Sequence, residues 1–452
     1  MLRYSKQNTA LGRLLSSKTP IISAAVQSLF SRPFGAAGGA LDPAQTPTQQ
    51  AFIDREETYG AHNYAPIPVV ISKGQGIFVW DVDGKRYFDF LSGYSALNQG
   101  HCHPKIIDAM ISQVKKLSLT SRAFHNDVLG LYEEKMTKLF GYDKLLPMNT
   151  GVEGGETAVK LARKWGYQVK GVPNNKAKIL FARNNFWGRT TSAVSSSTDP
   201  ESYQGFGPFM PGFEVIPYND LHALQVALEA DPNIVAFFVE PIQGEAGVVV
   251  PDAGYLTKCK ELLHKHGALL ICDEVQTGLC RTGKMLAAEW DDVRPDMIIL
   301  GKALSGGLLP VSCVLADDGI MMTIGRGQHG STYGGNPVAA RVAMASIDVL
   351  IEENLADNSL KMGELLRKEL RGLDSPLIEE VRGRGLLNAM VVNESKGPSA
   401  WELSLRCMRA GLLTKPTKGN VLRLAPPLVI KEEQLMEAVG ILKKVLEESV
   451  GK

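Results

Sequence analysis

Residues 269–307 decide the fold: LLICDEVQTGLCRTG over 269–283, then MIILGKALSGG over 297–307. One apolar run ends in Asp273 and the next ends in Lys302. The spacing is that of a crossover unit in a parallel sheet, so both side chains are expected at neighbouring strand ends. A lysine that closes a buried strand is costly unless its charge is used or removed, because desolvation disfavours the ammonium form. A Schiff base to pyridoxal phosphate uses it, with a carboxylate keeping the pyridine nitrogen protonated so that the ring acts as an electron sink. The plainer alternative is a surface lysine and an aspartate that caps a helix.

Around that stretch the apolar runs KILFA (178–182), IVAFFVEP (234–241), ALLICDEV (268–275), MIILGKA (297–303) and VSCVLAD (311–317) follow one another, with helical material such as 255–266 between some of them. Runs that are apolar throughout suit strands covered on both faces, which implies a parallel sheet in an α/β domain. Glu240, Asp273 and Lys302 all close their runs at the carboxyl edge, where open sheets bind ligands. Residues 145–166 pass through Thr150-Gly151 into a helix whose first amides favour an anion such as phosphate, although Asn149 or Thr150 would equally serve as an ordinary N-cap. GRGQHG (325–330) matches G-x-G-x-x-G but does not open a helix, because STYGGNP (331–337) intervenes, so no dinucleotide site is expected. Ser331 and Thr332 in that loop offer donors to a phosphate instead.

Alternating runs over 69–90, cut by Gly76 and Asp83-Gly84, predict a hairpin or small edge sheet. Helices are expected at 106–117, 361–373 and 432–446, with strands near 386–392 and 421–424. Together these give a smaller α+β domain built from the N- and C-terminal segments. The expected division is 1–41 a targeting segment, 42–104 an N-terminal segment shared with the small domain, 105–350 the large domain, and 351–452 the C-terminal small domain. Residues 42–50 read as a linker, with the ordered chain starting near Ala51.

A chain of 452 residues with 44% hydrophobic and 21% charged residues can bury a large core. Its formal charge of +1 gives no reason to expect a nucleic acid or a membrane as partner. The six cysteines show no C-x-x-C spacing, and His101-Cys102-His103 suits packing better than metal ligation. Residues 1–41 hold no Asp or Glu but carry Arg3, Lys6, Arg13, Lys18 and Arg32 among Ser and apolar residues, as an organelle transit peptide does. The mitochondrial matrix is the expected destination and the plastid the second choice.

The motifs YGAHNYAPIPV (59–69), NQGHCHPKI (98–106), PMNTGVEGGETAVKLARKWG (147–166), NNFWGRT (184–190), VEPIQGEAGV (239–248), DEVQTGL (273–279), GKALSGG (301–307), HGSTYGGNP (329–337) and LRLAPPLVI (422–430) stand in the order seen in class-III aminotransferases, pyridoxal-phosphate enzymes of fold-type I. From about Ala51 to the C-terminus the chain resembles the members of that family that use ornithine. The resemblance implies a large domain with a mostly parallel seven-stranded sheet flanked by helices. It also implies roles. Lys302 would carry the cofactor and shuttle a proton, Asp273 would pair with the pyridinium nitrogen, and Gln276 would bond the phenolic oxygen. Phe186 would stack on the ring, with Val275 among the cofactor contacts. Gly151 and Val152 would give amides to the phosphate, and Ser331 and Thr332 would reach it from a neighbouring subunit, which implies a homodimer at least.

The reaction so implied moves the δ-amino group of L-ornithine to 2-oxoglutarate. Arg189 would hold the substrate carboxylate, Tyr64 and Tyr94 would line the α-amino end, and Glu245 and Arg423 would switch between the two half-reactions. Gly154 and Ala65 stand where many relatives have Ala and His; neither is expected to touch the chemistry, and Gly154-Gly155 is expected to loosen the helix by about 1 kcal/mol. The rivals are an N-acetylornithine or 4-aminobutyrate aminotransferase, an aminomutase of the same fold, and a binding protein without catalysis.

Overall fold

The computed structural model describes residues 48–450, so the targeting segment expected at 1–41 lies outside the described residues. The first described element is a helix, Gln49–Tyr59, which takes in the last two residues of the stretch read as a linker; Thr48 Oγ1 caps its first turn by accepting the Ala51 amide at 3.3 Å. Next come β1 (Ile71–Gln75), β2 (Phe78–Asp81) and β3 (Arg86–Asp89), antiparallel in that order. Asp81 Oδ1 accepts the amides of Asp83 at 3.0 Å and Lys85 at 2.8 Å, which fixes the turn at Gly84 between β2 and β3.

The large sheet contains β4 (Lys144–Met148), β5 (Lys178–Ala182), β6 (Phe213–Ile216), β7 (Ile234–Val239), β8 (Leu269–Asp273), β9 (Met297–Leu300) and β10 (Ser312–Ala316), in the order β4-β10-β9-β8-β7-β5-β6. Every residue of β7, β8, β9 and β10 is buried. Alternate residues feed two cores: Phe237, Leu270 and Ile298 pack on one face, Phe238, Ile271 and Ile299 on the other. The expectation that 311–317 joins a parallel sheet holds for its place but not its direction, since β10 is antiparallel to both β9 and β4. The link from β9 to β10, residues 301–311, holds one short turn at Lys302–Ser305 and no longer helix. It is too short for a crossover helix, so the chain reverses.

A third sheet has the order β11-β12-β15-β14, from β11 (Ile378–Arg384), β12 (Leu387–Val392), β14 (Pro416–Thr417) and β15 (Val421–Leu424), all antiparallel. The helices Leu355–Arg371, Ala400–Ala410 and Glu432–Glu447 accompany it. The pair β13 (Leu412–Leu413) instead joins β3 in parallel register, so N- and C-terminal segments share one sheet. Among the described residues no helix is long and apolar enough to cross a membrane.

Candidate active site

Parallel register sets Val239 opposite Cys272 and Asp273 opposite Ile299, so Glu240, Asp273 and Lys302 arrive at one edge of the sheet. They line a cavity of about 230 Å³. The backbone at Lys302 has φ 45°, a left-handed conformation that a lysine adopts only under constraint from its surroundings.

The helix Gly151–Trp165 meets this cavity end-on. Thr150 and Glu153 form a capping box: Glu153 Oε2 accepts the Thr150 amide at 2.7 Å and Thr150 Oγ1 accepts the Glu153 amide at 3.4 Å. That satisfies the amides of the cap, Thr150, and of the third helical residue, Glu153, and leaves the Gly151 and Val152 amides for an anion. Gly151 is needed for close approach, since a Cβ there would stand 2.8 Å from Val275 Cγ1. Phe186, Val275, Gln276 and Glu245 complete the expected lining; Trp187, Gly188, Glu240 and Thr277 also line it but were assigned no role from sequence. Glu240 was visible as a charged strand end, whereas Trp187 resembled any core aromatic and carried no distinguishing signal.

Phe186 and Glu245 also line a second, wider space of about 610 Å³ that includes Arg189. Arg189 lies 5.6 Å from the Phe186 ring centroid, and with Tyr64 it lines a further hollow of about 380 Å³. Tyr94 is not among the residues that line these spaces; its ring lies 5.3 Å from the Arg423 guanidinium. Arg423 is 1% exposed and donates to Glu245 Oε1 at 2.8 Å; Gln276 Nε2 donates to the same oxygen at 3.1 Å. Ser331 and Thr332 are not brought to the cavity by this chain; Ser331 Oγ accepts from Asn149 Nδ2 at 2.9 Å, beside the capping box.

Burial dominates the electrostatics. It lowers the Lys302 ammonium pKa, against the opposing charge of Glu245. Burial lifts Asp273 to about 6, opposed by the Val275 amide, which donates to Oδ1 at 2.9 Å, and by Lys302. Glu240 is pushed up to about 8 by burial and by the neighbouring Asp273 charge. For Glu245 burial acts in the same direction but loses to Arg423, whose charge and hydrogen bond hold the carboxyl at about 2.

These residues fit pyridoxal phosphate. A buried carboxylate with one oxygen uncommitted suits a pyridinium nitrogen, two free helix amides suit a phosphate, and Gln276 Oε1 is buried without a partner. Among the described residues no group of three or more His, Cys, Asp or Glu side chains is arranged to hold a metal ion.

The comparisons agree with this geometry. A family model described as aminotransferase class-III matches residues 59–446. A mitochondrial ornithine aminotransferase of Rattus norvegicus is 64% identical over 400 residues, covering 88% of this chain and 91% of its own. An ornithine aminotransferase from Toxoplasma gondii, with pyridoxal phosphate partially occupying its active site, superposes with a TM-score of 0.88 at 46% identity, covering 96% and 98% of the two chains. An acetylornithine aminotransferase from Elizabethkingia anophelis is 53% identical with a TM-score of 0.81, over 89% and 100%. The family model spans most of the chain and these relatives are matched over nearly their whole length, so the chain belongs to the class-III aminotransferases.

Proposed function

We propose that the chain is a pyridoxal-phosphate-dependent ornithine aminotransferase, transferring the δ-amino group of L-ornithine to 2-oxoglutarate to give glutamate 5-semialdehyde, which cyclises, and glutamate. The carrying observation is the buried Arg423 with Glu245 on it, 2.8 Å apart at the cavity rim. 2-Oxoglutarate brings one carboxylate more to the reacting end than ornithine does, and an arginine that a carboxylate can cover or release serves both substrates.

Bound pyridoxal phosphate supplies an electron sink and stores the amino group between the half-reactions. Asp273 would hold the proton on the ring nitrogen, Gly151 and Val152 would donate to the phosphate, and Gln276 would meet the phenolic oxygen. Phe186 and Val275 would hold the ring. Lys302 Nζ moves the proton from the δ-carbon of ornithine, and in the second half-reaction returns one to the α-carbon of the product glutamate. Arg189 holds ornithine's carboxylate, while Tyr64 and Tyr94 line its α-amino end. With 2-oxoglutarate, Arg189 takes the distal carboxylate and Arg423 the one beside the reacting carbon.

Offering ornithine, N-acetylornithine and 4-aminobutyrate separately with 2-oxoglutarate tests this. Consumption of ornithine with δ-derived product is expected; preferential use of N-acetylornithine or 4-aminobutyrate overturns it. Turnover of ornithine without any oxo acid would indicate an aminomutase. The enzyme works as a homodimer, with Ser331 and Thr332 of each subunit donating to the other's phosphate site. Solution mass measurement tests the dimer. Its place is the mitochondrial matrix, as residues 1–41 suggest and the naming of the rat relative supports; organelle import of a fusion carrying 1–41 tests that.

A further inference from the structure

Glu240 takes no part in the chemistry above, yet its two oxygens reach two different segments of the cavity wall. Oε1 accepts the Phe186 amide at 2.9 Å and Oε2 accepts the Gly244 amide at 3.3 Å. Phe186 opens the turn that carries Arg189, and Gly244 directly precedes Glu245. We propose that Glu240 is a positioning residue that fixes the Phe186–Arg189 turn and the Gly244–Glu245 loop against each other, and through them sets the choice of amino donor. This rests on the ornithine reading, in which Arg189 and Glu245 sort the substrate carboxylates.

The chemistry at position 240 is demanding because both arms present donors. Only a side chain with two acceptors satisfies both, and glutamine would turn an N–H₂ group towards one of them. The Gly244 loop has no slack to absorb the mismatch. A Cβ at Gly244 would overlap Gln276 Oε1, and the base of the loop is pinned where Gln243 Nε2 donates to the Arg183 carbonyl at 2.9 Å. Movement is therefore passed to Glu245, whose Oε1 lies 2.8 Å from Arg423 Nη1. A freed Arg423 favours a donor with a second carboxylate near its amino group.

The test compares holoenzymes of the wild type, Glu240→Gln and Glu240→Asp by amide hydrogen exchange over 184–189 and 243–247, and by kcat/KM on ornithine and glutamate. Glu240→Gln is expected to speed exchange in both segments without a general increase, and to raise the glutamate-to-ornithine ratio by about tenfold. In a Glu245→Ala background the same change should leave the ratio unmoved, because the loop it acts through has lost its carboxylate. Glu240→Asp, which reaches less far, should lie between the two and supplies the measurement if the glutamine variant does not fold. Unchanged exchange in both segments overturns the proposal. So does an equal loss on both donors, or a ratio shift that persists in full without Glu245. A wild type inactive on ornithine would sink the functional reading instead, and the exchange of the two segments would still judge Glu240.

Discussion

Lys302 is half-buried at the edge of the sheet with Glu245 and Asp273 as its opposing charges, and its amine is the group here suited to carry a cofactor and move a proton. Lys302→Ala is expected to keep cofactor bound without a covalent link and to lower transamination by at least about a thousandfold. Borohydride reduction with peptide mapping checks the site, and labelling of a different lysine would refute it. The acidic residues around it give a second expectation. Glu240 at about 8, Glu274 at about 7 and Asp273 at about 6 are all raised by burial above their ordinary values. A group whose folded pKa is raised gives stability that is complete below its unfolded value and lost as pH rises through the folded one. The cofactor-free protein should thus lose stability steadily from about pH 5 to about pH 8. Glu245 has the opposite sign and matters only as pH falls towards 2. Thermal midpoints across that window check the slope, and Glu240→Gln should flatten its upper half; a midpoint that rises throughout would contradict the assignment.

The helix Gly151–Trp165 shows how an element can serve both core and site. Besides the propensity cost expected from the sequence, its glycines meet a packing need: a Cβ at Gly154 would stand 2.7 Å from Ile299 Cγ2, and one at Gly155 would stand 2.5 Å from Trp187 Cε3. Both let the helix lie close to the sheet and to a cavity-lining indole. Trp187 has little room to retreat, because its ring packs 5.3 Å from Phe238 and its Nε1 donates to Ser196 Oγ at 2.8 Å. Gly155→Ala gains about 1 kcal/mol of helix propensity but overpacks a core, at about 1–3 kcal/mol. A lowered denaturation midpoint with weaker cofactor retention is expected, and a more stable variant with unaltered cofactor affinity would reject this account. What could be read at this scale followed burial. All-apolar runs exposed β7, β8 and β9, and a charge closing such a run exposed Asp273 and Lys302. The direction of β10 could not be read, because a strand buried on both faces looks alike in either direction and only the short link from β9 decides it. β11 was missed because it is a sheet edge carrying Glu379, Glu380, Arg382 and Arg384, with no apolar run to mark it. Glu240 was seen as a strand end, but its hold on Phe186 and Gly244 depends on loops whose paths no periodicity describes.

At the scale of the molecule, the site is closed by pieces that are far apart in the chain. Arg423 stands on β15 of the C-terminal sheet, while Glu245 follows β7 of the large sheet, and the two meet at 2.8 Å. The same junction is tied again where Thr417 Oγ1 donates to the Glu245 carbonyl at 2.7 Å and Arg382 Nη2 to the Gly247 carbonyl at 2.9 Å, while Lys415 Nζ donates to the Ala65 carbonyl at 2.8 Å, next to Tyr64. The small sheet therefore delivers an arginine to a cavity built by the large one, and the N-terminal segment is anchored beside it. A buried guanidinium stripped of its carboxylate is costly; in the reaction proposed above, exchanging Glu245 for a substrate carboxylate would keep the charge paired in both half-reactions. Glu245→Ala leaves Arg423 open to the first substrate. Glutamate should then improve as donor relative to ornithine, and part of the ornithine should react reversed, through its α-amino group. Arg423→Ala removes the site for the carboxylate beside the reacting carbon, so the 2-oxoglutarate half-reaction should suffer most while the ornithine half-reaction keeps more of its rate. Single-turnover absorbance changes for each half-reaction, with product analysis separating α- from δ-transfer, measure both. A Glu245→Ala enzyme with unchanged donor preference and purely δ-derived product would make the pair a fixed brace between the sheets, with selection residing in Arg189 and the two tyrosines.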